Sequence, residues 1–240
     1  LHFQPLEPLK IFSNLWYENP FLMITDSRQS KLFISELKAV TSPMPIQFRI
    51  GTVLDQDPIP LFVPSRQPLP NNPNFYKHVV DQCRRLIIGR AGMTIILLND
   101  LDLLRQLTSE LAADFGLRVA FQELPRKPNG IICCSCEWWI DFQRQLPLPE
   151  QLIFPLVPFP SLSSPLTAAK IESCKHLGRD WFREFLLPET LSLFLKAVAI
   201  IRGKNVRLSI LDGRIRFRSW GEQIFQTLEP WTPLERLLPD

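Results

Sequence analysis

The chain has 240 residues, a formal net charge of +3 and 45% apolar residues, which predicts one large globular domain or one and a half. This composition argues against intrinsic disorder, and no apolar run is long enough to predict a membrane-spanning helix. Five Cys without a secretory signal favour a reducing, cytoplasmic location over a disulfide framework.

Proline is abundant, with 23 residues, and glycine is scarce, with 9. Average usage would give about 12 Pro and about 17 Gly. A chain so poor in glycine has little material for glycine-rich phosphate loops. Arg is twice as frequent as Lys, and Arg is the residue suited to bidentate contacts with phosphate.

The N-terminal part predicts a helix–strand–helix segment. Apolar residues recur at helical spacing from residue 6 to 18, the run Phe21–Thr25 suits a buried strand, and a second helix carries Leu32 to Leu37 on one face. Closely spaced prolines exclude a long helix between Thr41 and Pro73. We interpret this stretch as a proline-rich connector that contains one or two strands, at Ile46–Ile50 and Ile59–Val63.

Beyond the connector, apolar strands alternate with amphipathic helices. Strands are predicted at Thr94–Leu98, Leu117–Phe121, Gly130–Cys134, Ile153–Val157 and Val206–Leu211. One helix is predicted to begin after the capping residue Asp100 and to end at Phe115, before Gly116. The other helices are predicted at Asn74–Ile88, Thr167–Phe185, Glu189–Ile201 and around Glu222–Leu228. This alternation predicts an α/β fold with a largely parallel sheet covered on both faces.

Several phosphate and metal motifs are missing from the sequence. No G-x-x-x-x-G-K-[S/T] or G-x-G-x-x-G pattern occurs, and the three His (His2, His78 and His176) are far apart. The sequence therefore does not predict a self-contained phosphate-binding catalytic site.

The densest thiol cluster is Cys133-Cys134-Ser135-Cys136. A second C-x-x-C pair for a metal is lacking, and on a strand Cys133 would point away from Cys134. We therefore interpret these cysteines as small buried hydrophobic residues rather than as metal ligands.

A basic stretch lies between Lys196 and Arg218, with Asp212 as its one acidic residue. Arg214, Arg216 and Arg218 alternate with two apolar residues, so an extended backbone would place the three Arg on one face. Such a row suits a nucleic-acid backbone or an acidic partner surface. A solvated edge is the alternative that the pattern leaves open.

In chain order, the motifs resemble those of the C-terminal half, the second RecA-like lobe, of DinG/XPD-like superfamily 2 DNA helicases. The most specific matches are a proline turn, Val157–Leu166, and the I-L-D-G-R segment Ile210–Arg214. The remaining matches are Phe21–Gln29, Pro58–Pro64, Pro70–Tyr76, Thr94–Leu104, Ser135–Asp141, Leu195–Arg202 and Trp220–Gly221.

This resemblance implies a RecA-like three-layer sandwich at residues 57–240, preceded by a first-lobe remnant and connector at 1–56. It implies a DNA repair helicase without membrane attachment. ATP and Mg²⁺ would be bound mainly by a missing N-terminal ATPase lobe, in the same chain or in another one. This chain alone would bind neither cofactor, and its further partner would be single-stranded DNA. The implied catalytic residues are Arg202 and Asp141. The implied nucleic-acid-binding residues are Arg214, Arg216, Arg218, Lys204 and Arg207.

The sequence also departs from the family pattern. Asp26-Ser27-Arg28 replaces Ser-Ala-Thr, and the tryptophan motif retains only Asp141 at its expected place. In the arginine motif only Arg202 remains. These losses predict that the chain alone does not hydrolyse ATP. They also leave open a second interpretation, a catalytically inactive helicase-like scaffold that serves as a protein or nucleic-acid interaction module.

Overall fold

A computed structural model describes residues 57–125 and 127–235. Its strands are β1 (Ile59–Phe62), β2 (Thr94–Leu97), β3 (Val119–Phe121), β4 (Ile131–Cys134), β5 (Gln151–Phe154), β6 (Arg207–Ile210) and β7 (Trp231–Pro233). They form one sheet in the order β3-β4-β2-β5-β6-β1-β7. Every neighbouring pair is parallel. The predicted α/β fold with a parallel sheet is confirmed.

The helices are α1 (Phe75–Ile87), α2 (Leu101–Phe115), α3 (Cys136–Phe142), α4 (Pro165–His176), α5 (Leu187–Val198), α6 (Arg214–Phe217) and α7 (Gly221–Leu228). Short 3-10 helices follow α2 and α5, at Gly116–Arg118 and Ala199–Ile201, and a π-helical turn at Phe182–Leu186 precedes α5. None of the helices in the described ranges is long and apolar enough to cross a membrane.

The chain divides into two compact units. One comprises residues 53–159 and 193–240, and therefore contains the whole sheet. The described residues 160–192, with α4 and the start of α5, belong to the other.

Helices cover both faces of the sheet, as a three-layer sandwich requires. On one face, α1 and α2 bury Val79, Leu86 and Leu107 in a cluster that includes Ile153 of β5. The next residue of β5, Phe154, points to the opposite face, where its ring lies 4.7 Å from that of Phe194 in α5. Burial of apolar surface on both sides explains why the strands are continuously hydrophobic.

The five strands predicted after the connector all occur, and the strand predicted within the connector at Ile59–Val63 occurs as well. This segment forms β1, which pairs with both β6 and β7. Pro60 is tolerated because the pairing with β6 begins only at Leu61, so no N–H is needed at the proline.

The two ends of α2 are as predicted, since Asp100 accepts a hydrogen bond from the Leu103 N–H and Gly116 follows with a φ of 56°. The helix predicted at Thr167–Phe185 is shorter and ends at His176. Gly178, with a φ of 64°, turns the chain away there. The predictions for residues 1–56 lie outside the described residues.

Candidate nucleic-acid interface

The turn that follows β6 is organised by a buried carboxylate. Asp212 is 0% exposed and accepts hydrogen bonds from the backbone N–H groups of Val157 and Arg214, each at 3.0 Å. The Arg214 guanidinium donates to the same carboxylate, with its closest nitrogen at 2.6 Å. Asp212 therefore ties the chain after β5 to the chain after β6, at the carboxyl edge of the sheet.

Arg214 also contacts an aromatic pair. Its guanidinium carbon lies 5.4 Å from the centre of the Phe159 ring, and that ring meets Trp220 edge-to-face at 5.3 Å. Charge pairing on one side and a cation–π contact on the other leave Arg214 only 28% exposed. Its main role in this arrangement is to hold the edge together.

A glycine allows the close approach of another loop at this edge. A Cβ on Gly213 would stand 3.0 Å from the Gln67 carbonyl oxygen. Gln67 is itself buried, and its side-chain amide donates to the carbonyl oxygens of Pro64 and Ile210. The loops after β1, β5 and β6 thus form one connected surface.

The predicted extended row of three arginines is wrong, because Arg214–Phe217 forms a single helical turn. Backbone hydrogen bonds from Arg216 to Gly213 and from Arg218 to Arg214 close this turn. Its start is fixed by the bonds that the Asp212 carboxylate accepts from Arg214. A local carboxylate therefore replaces the strand conformation that the alternating pattern predicted.

Two of the three arginines remain on the surface. Arg216 is exposed and donates one hydrogen bond, 2.6 Å long, to the Val63 carbonyl oxygen. The exposed Arg218 side chain has no hydrogen-bond or ion-pair partner in the described part of the chain. Phe217, between them, is 65% exposed. The carboxyl edge thus presents two cations and an apolar ring in one short turn.

Lys204 and Arg207, which are also predicted to bind nucleic acid, lie apart from the turn that contains Arg214. Arg207 opens β6, and roughly 10 Å of strand separates it from the turn that contains Arg214. Burial and the nearby Arg90 guanidinium lower the pKa of Arg207, and the Glu150 carboxylate opposes this. The predicted nucleic-acid residues are therefore divided between the two ends of β6.

Arg202 is placed by main-chain oxygens. Its guanidinium donates to the Thr227 and Glu229 carbonyl oxygens, at 2.8 and 2.9 Å, at the carboxyl end of α7. A cation at this end of a helix is favoured by the helix dipole and satisfies carbonyl groups that the helix leaves unpaired. Arg202 therefore joins the segment before β6 to the one that leads into β7.

The tryptophan-motif segment forms α3, with the Ser135 hydroxyl accepting a hydrogen bond from the Trp138 N–H at its start. Trp139 is fully buried and its indole N–H donates to the Ala197 carbonyl oxygen in α5. Trp138 is half-buried and stacks on Phe142. Asp141 is exposed in the last turn of α3.

The cysteines of the C-C-S-C cluster are buried, as predicted. Burial raises the pKa of the Cys133 thiol to about 12 and raises those of Cys134 and Cys136 as well. Among the described residues no group of three or more His, Cys, Asp or Glu side chains could hold a metal ion.

The sequence prediction missed three residues that build this edge: Asp212, Gln67 and Phe159. Asp212 was noted only as an acid within a basic stretch, although the I-L-D-G-R segment placed it directly after a predicted strand. A carboxylate at the carboxyl end of a parallel strand meets loops from neighbouring strands, which is the signal that could have identified it.

Comparisons with known proteins agree with this architecture. No protein-family model matches the sequence. The chain is 23% identical over 214 residues to the ATP-dependent DNA helicase YoaA of Escherichia coli K12, a match that covers 84% of this chain and 32% of that protein. It therefore spans about a third of the length of this relative.

Two solved structures share the fold. An XPD helicase superimposes with a TM-score of 0.53 and 7% identity, over 73% of this chain and 35% of that one. The Xpd4 protein of S. tokodaii gives a TM-score of 0.53 and 11% identity, over 81% of this chain and 41% of that one. In motif order, sequence and fold, the chain is similar to the XPD/DinG-like superfamily 2 helicases, which confirms the predicted resemblance.

Proposed function

We propose that this chain is the second RecA-like lobe of an ATP-dependent DNA helicase and binds single-stranded DNA at the carboxyl edge of its sheet. The observation that carries the proposal is the turn after β6, where Asp212 fixes the backbone and Arg216 and Arg218 remain exposed. Ligands of open α/β sheets bind outside the carboxyl ends of the strands, which is where this turn lies.

The chemistry of the edge suits a single strand without base preference. Guanidinium groups bind phosphate oxygens, and exposed aromatic rings stack on bases of any sequence. Phe217 lies between the two arginines and supplies such a ring. Because Arg214 is engaged by Asp212 and Phe159, we expect it to position the turn rather than to bind phosphate.

The described residues do not fit ATP and Mg²⁺ on their own. The sequence lacks a phosphate loop, and the Arg202 guanidinium donates to two carbonyl oxygens. The proposal therefore assigns nucleotide and Mg²⁺ to a separate N-terminal lobe. Arg202 and Asp141 stay candidates for contact with a nucleotide held there.

A specific observation favours the second candidate function, a catalytically inactive helicase-like scaffold. Arg202, the one residue left of the arginine motif, holds the end of α7 through main-chain bonds. An arginine that stabilises the fold in this way would be retained even in a protein that had lost catalysis. In that case the fold would serve only for interactions.

A titration with a labelled oligothymidylate tests DNA binding at the turn after β6. We expect the Arg216→Glu/Arg218→Glu variant to bind about tenfold or more weakly than the parent chain, because two phosphate contacts become repulsive. Arg105→Glu changes a charge on an exposed side chain of α2 and serves as the matched control. Equal affinities of all three proteins would contradict the DNA-binding proposal and favour the scaffold.

A phosphate-release assay with ATP and single-stranded DNA checks the assignment of nucleotide to another lobe. The chain of 240 residues should show no turnover above buffer, since it lacks a phosphate-cradling loop. Turnover that Arg202→Ala abolishes would show that this chain contains a complete site.

A further inference from the structure

A groove runs along the β7 edge of the sheet, and Arg216, in the turn after β6, is one of its lining residues. Its volume is about 1340 Å³, larger than the roughly 300–1,000 Å³ of typical small-molecule sites. Its walls come from β1, from the end of α1, and from the segment that follows β7. A groove of this size suits a segment of a macromolecule rather than a metabolite.

The accessible lining of this groove, which we call the β7 groove, is mainly apolar. Leu61, Val63 and Leu234 line it, and Ile88 lies at its margin with 64% of its surface exposed. Such a surface favours an occupant that brings apolar side chains of its own. The ring of Trp231 is 5.4 Å from Phe225 and its indole N–H donates to the Phe225 carbonyl oxygen, so this aromatic pair is mainly engaged with itself.

Three arginines surround the groove, against one acid, Glu235. Arg66 and Arg216 lie just beyond the ends of β1 and β6, whereas Arg85 is in the last turn of α1, which runs back towards the start of the strands. Arg66 and Arg85 have no hydrogen-bond or ion-pair partner within residues 57–125 and 127–235. Positive charge at both ends of an apolar groove complements an occupant with acidic residues around an apolar stripe.

The open edge of β7 discourages an occupant that extends the sheet. Ile59 donates to the Pro230 carbonyl oxygen and Leu234 donates to that of Leu61, so alternate residues of β7 face β1. Pro233 therefore faces the open side, where it has no N–H to offer a further strand. Recognition must depend on side chains, as when an amphipathic helix lies in an apolar groove.

We propose that the β7 groove binds an acidic amphipathic segment of a partner protein. The apolar face of the segment contacts Ile88 and Leu234, and its carboxylates pair with Arg66 and Arg85. This interaction is separate from DNA binding at the turn after β6, since only Arg216 is close to both surfaces.

The test uses the full chain and a fluorescein-labelled helical peptide of about 18 residues, with Leu on one face and Glu on the other. Two matched control peptides are compared with it: one has Lys in place of every Glu, and the other has Ser in place of every Leu. The acidic amphipathic peptide should bind, and the other two should bind about tenfold or more weakly. Arg66→Glu/Arg85→Glu should weaken the binding by about tenfold or more, and Ile88→Ser should weaken it too.

Arg105→Glu, an exposed change outside the groove, should leave the peptide affinity unchanged. Urea unfolding of each variant separates a binding defect from a folding defect, and all substituted side chains in the groove are exposed. Equal affinity for the acidic and basic peptides, or an unchanged affinity of Arg66→Glu/Arg85→Glu, would overturn the proposal. Displacement of the peptide by an oligothymidylate, with the same dependence on Arg66 and Arg85, would instead make the groove a nucleic-acid site and overturn it as well.

Discussion

Replacement of Asp212 by Ala should be among the most destabilising changes in the sheet-containing unit. The carboxylate is fully buried, and its loss leaves the Val157 and Arg214 backbone N–H groups without their acceptor. It also removes the partner of the Arg214 guanidinium, whose closest nitrogen lies 2.6 Å from the carboxylate.

The magnitude follows from these contacts. Breaking a buried ion pair by removing one partner costs about 3–5 kcal/mol, mainly because the remaining charge is left unpaired. Arg214 is 28% exposed and can partly regain water, so its own contribution lies towards the lower end of that range. Each buried N–H left unsatisfied adds about 1–3 kcal/mol. We therefore expect Asp212→Ala to lower the free energy of unfolding by about 5 kcal/mol or more. Asp212→Asn keeps one acceptor oxygen and should therefore lower the free energy of unfolding by less than Asp212→Ala does.

Urea unfolding followed by tryptophan fluorescence measures this difference. Asp102→Ala is the matched control, since Asp102 pairs with Arg105 at 3.2 Å while its side chain is 97% exposed. Exposed ion pairs contribute about 0.2–1 kcal/mol. If Asp212→Ala lost no more stability than Asp102→Ala, the carboxylate would not organise the edge, and our explanation of the helical turn at Arg214 would be wrong.

Three further predictions concern other residues. Gly221→Ala should lower the free energy of unfolding by about 1–3 kcal/mol or more in the same assay, because the added Cβ would meet the Ile215 carbonyl group. A loss below about 0.5 kcal/mol would contradict the close packing of α6 on α7. Arg202→Ala should lower the free energy of unfolding by about 1.5–3 kcal/mol, and Arg202→Lys should lower it less, since a lysine can still donate to a carbonyl oxygen. Equal stability of the parent chain and both variants would argue against the structural role of Arg202. Iodoacetamide at neutral pH should label Cys174 in preference to the buried thiols, because burial raises the pKa of a thiol such as Cys133 and keeps it protonated. Mass spectrometry measures the labelling, and equal labelling of Cys133 and Cys174 would contradict the burial of Cys133.

Much of the sheet could be predicted because its signals are local. Continuous apolar runs identified the strands, and the Asp100 cap and Gly116 marked both ends of α2. The conformation of Arg214–Arg218 could not be predicted from alternation alone, because it depends on a carboxylate that also bonds to Val157, 55 residues earlier. The sequence spacing likewise could not show that Arg202 would bond to the end of α7, since that contact spans 25 residues.

The salt dependence of single-stranded DNA binding tests the proposed interface most directly. For a single strand, each neutralised phosphate contributes about −0.7 to the slope of log affinity against log salt concentration. We expect Arg216→Gln/Arg218→Gln to make this slope less steep by about 1.4 between about 50 and 200 mM salt, whereas Arg105→Gln should leave the slope unchanged. An identical slope and affinity for the parent chain and the double variant would contradict the assignment of DNA binding to the turn after β6.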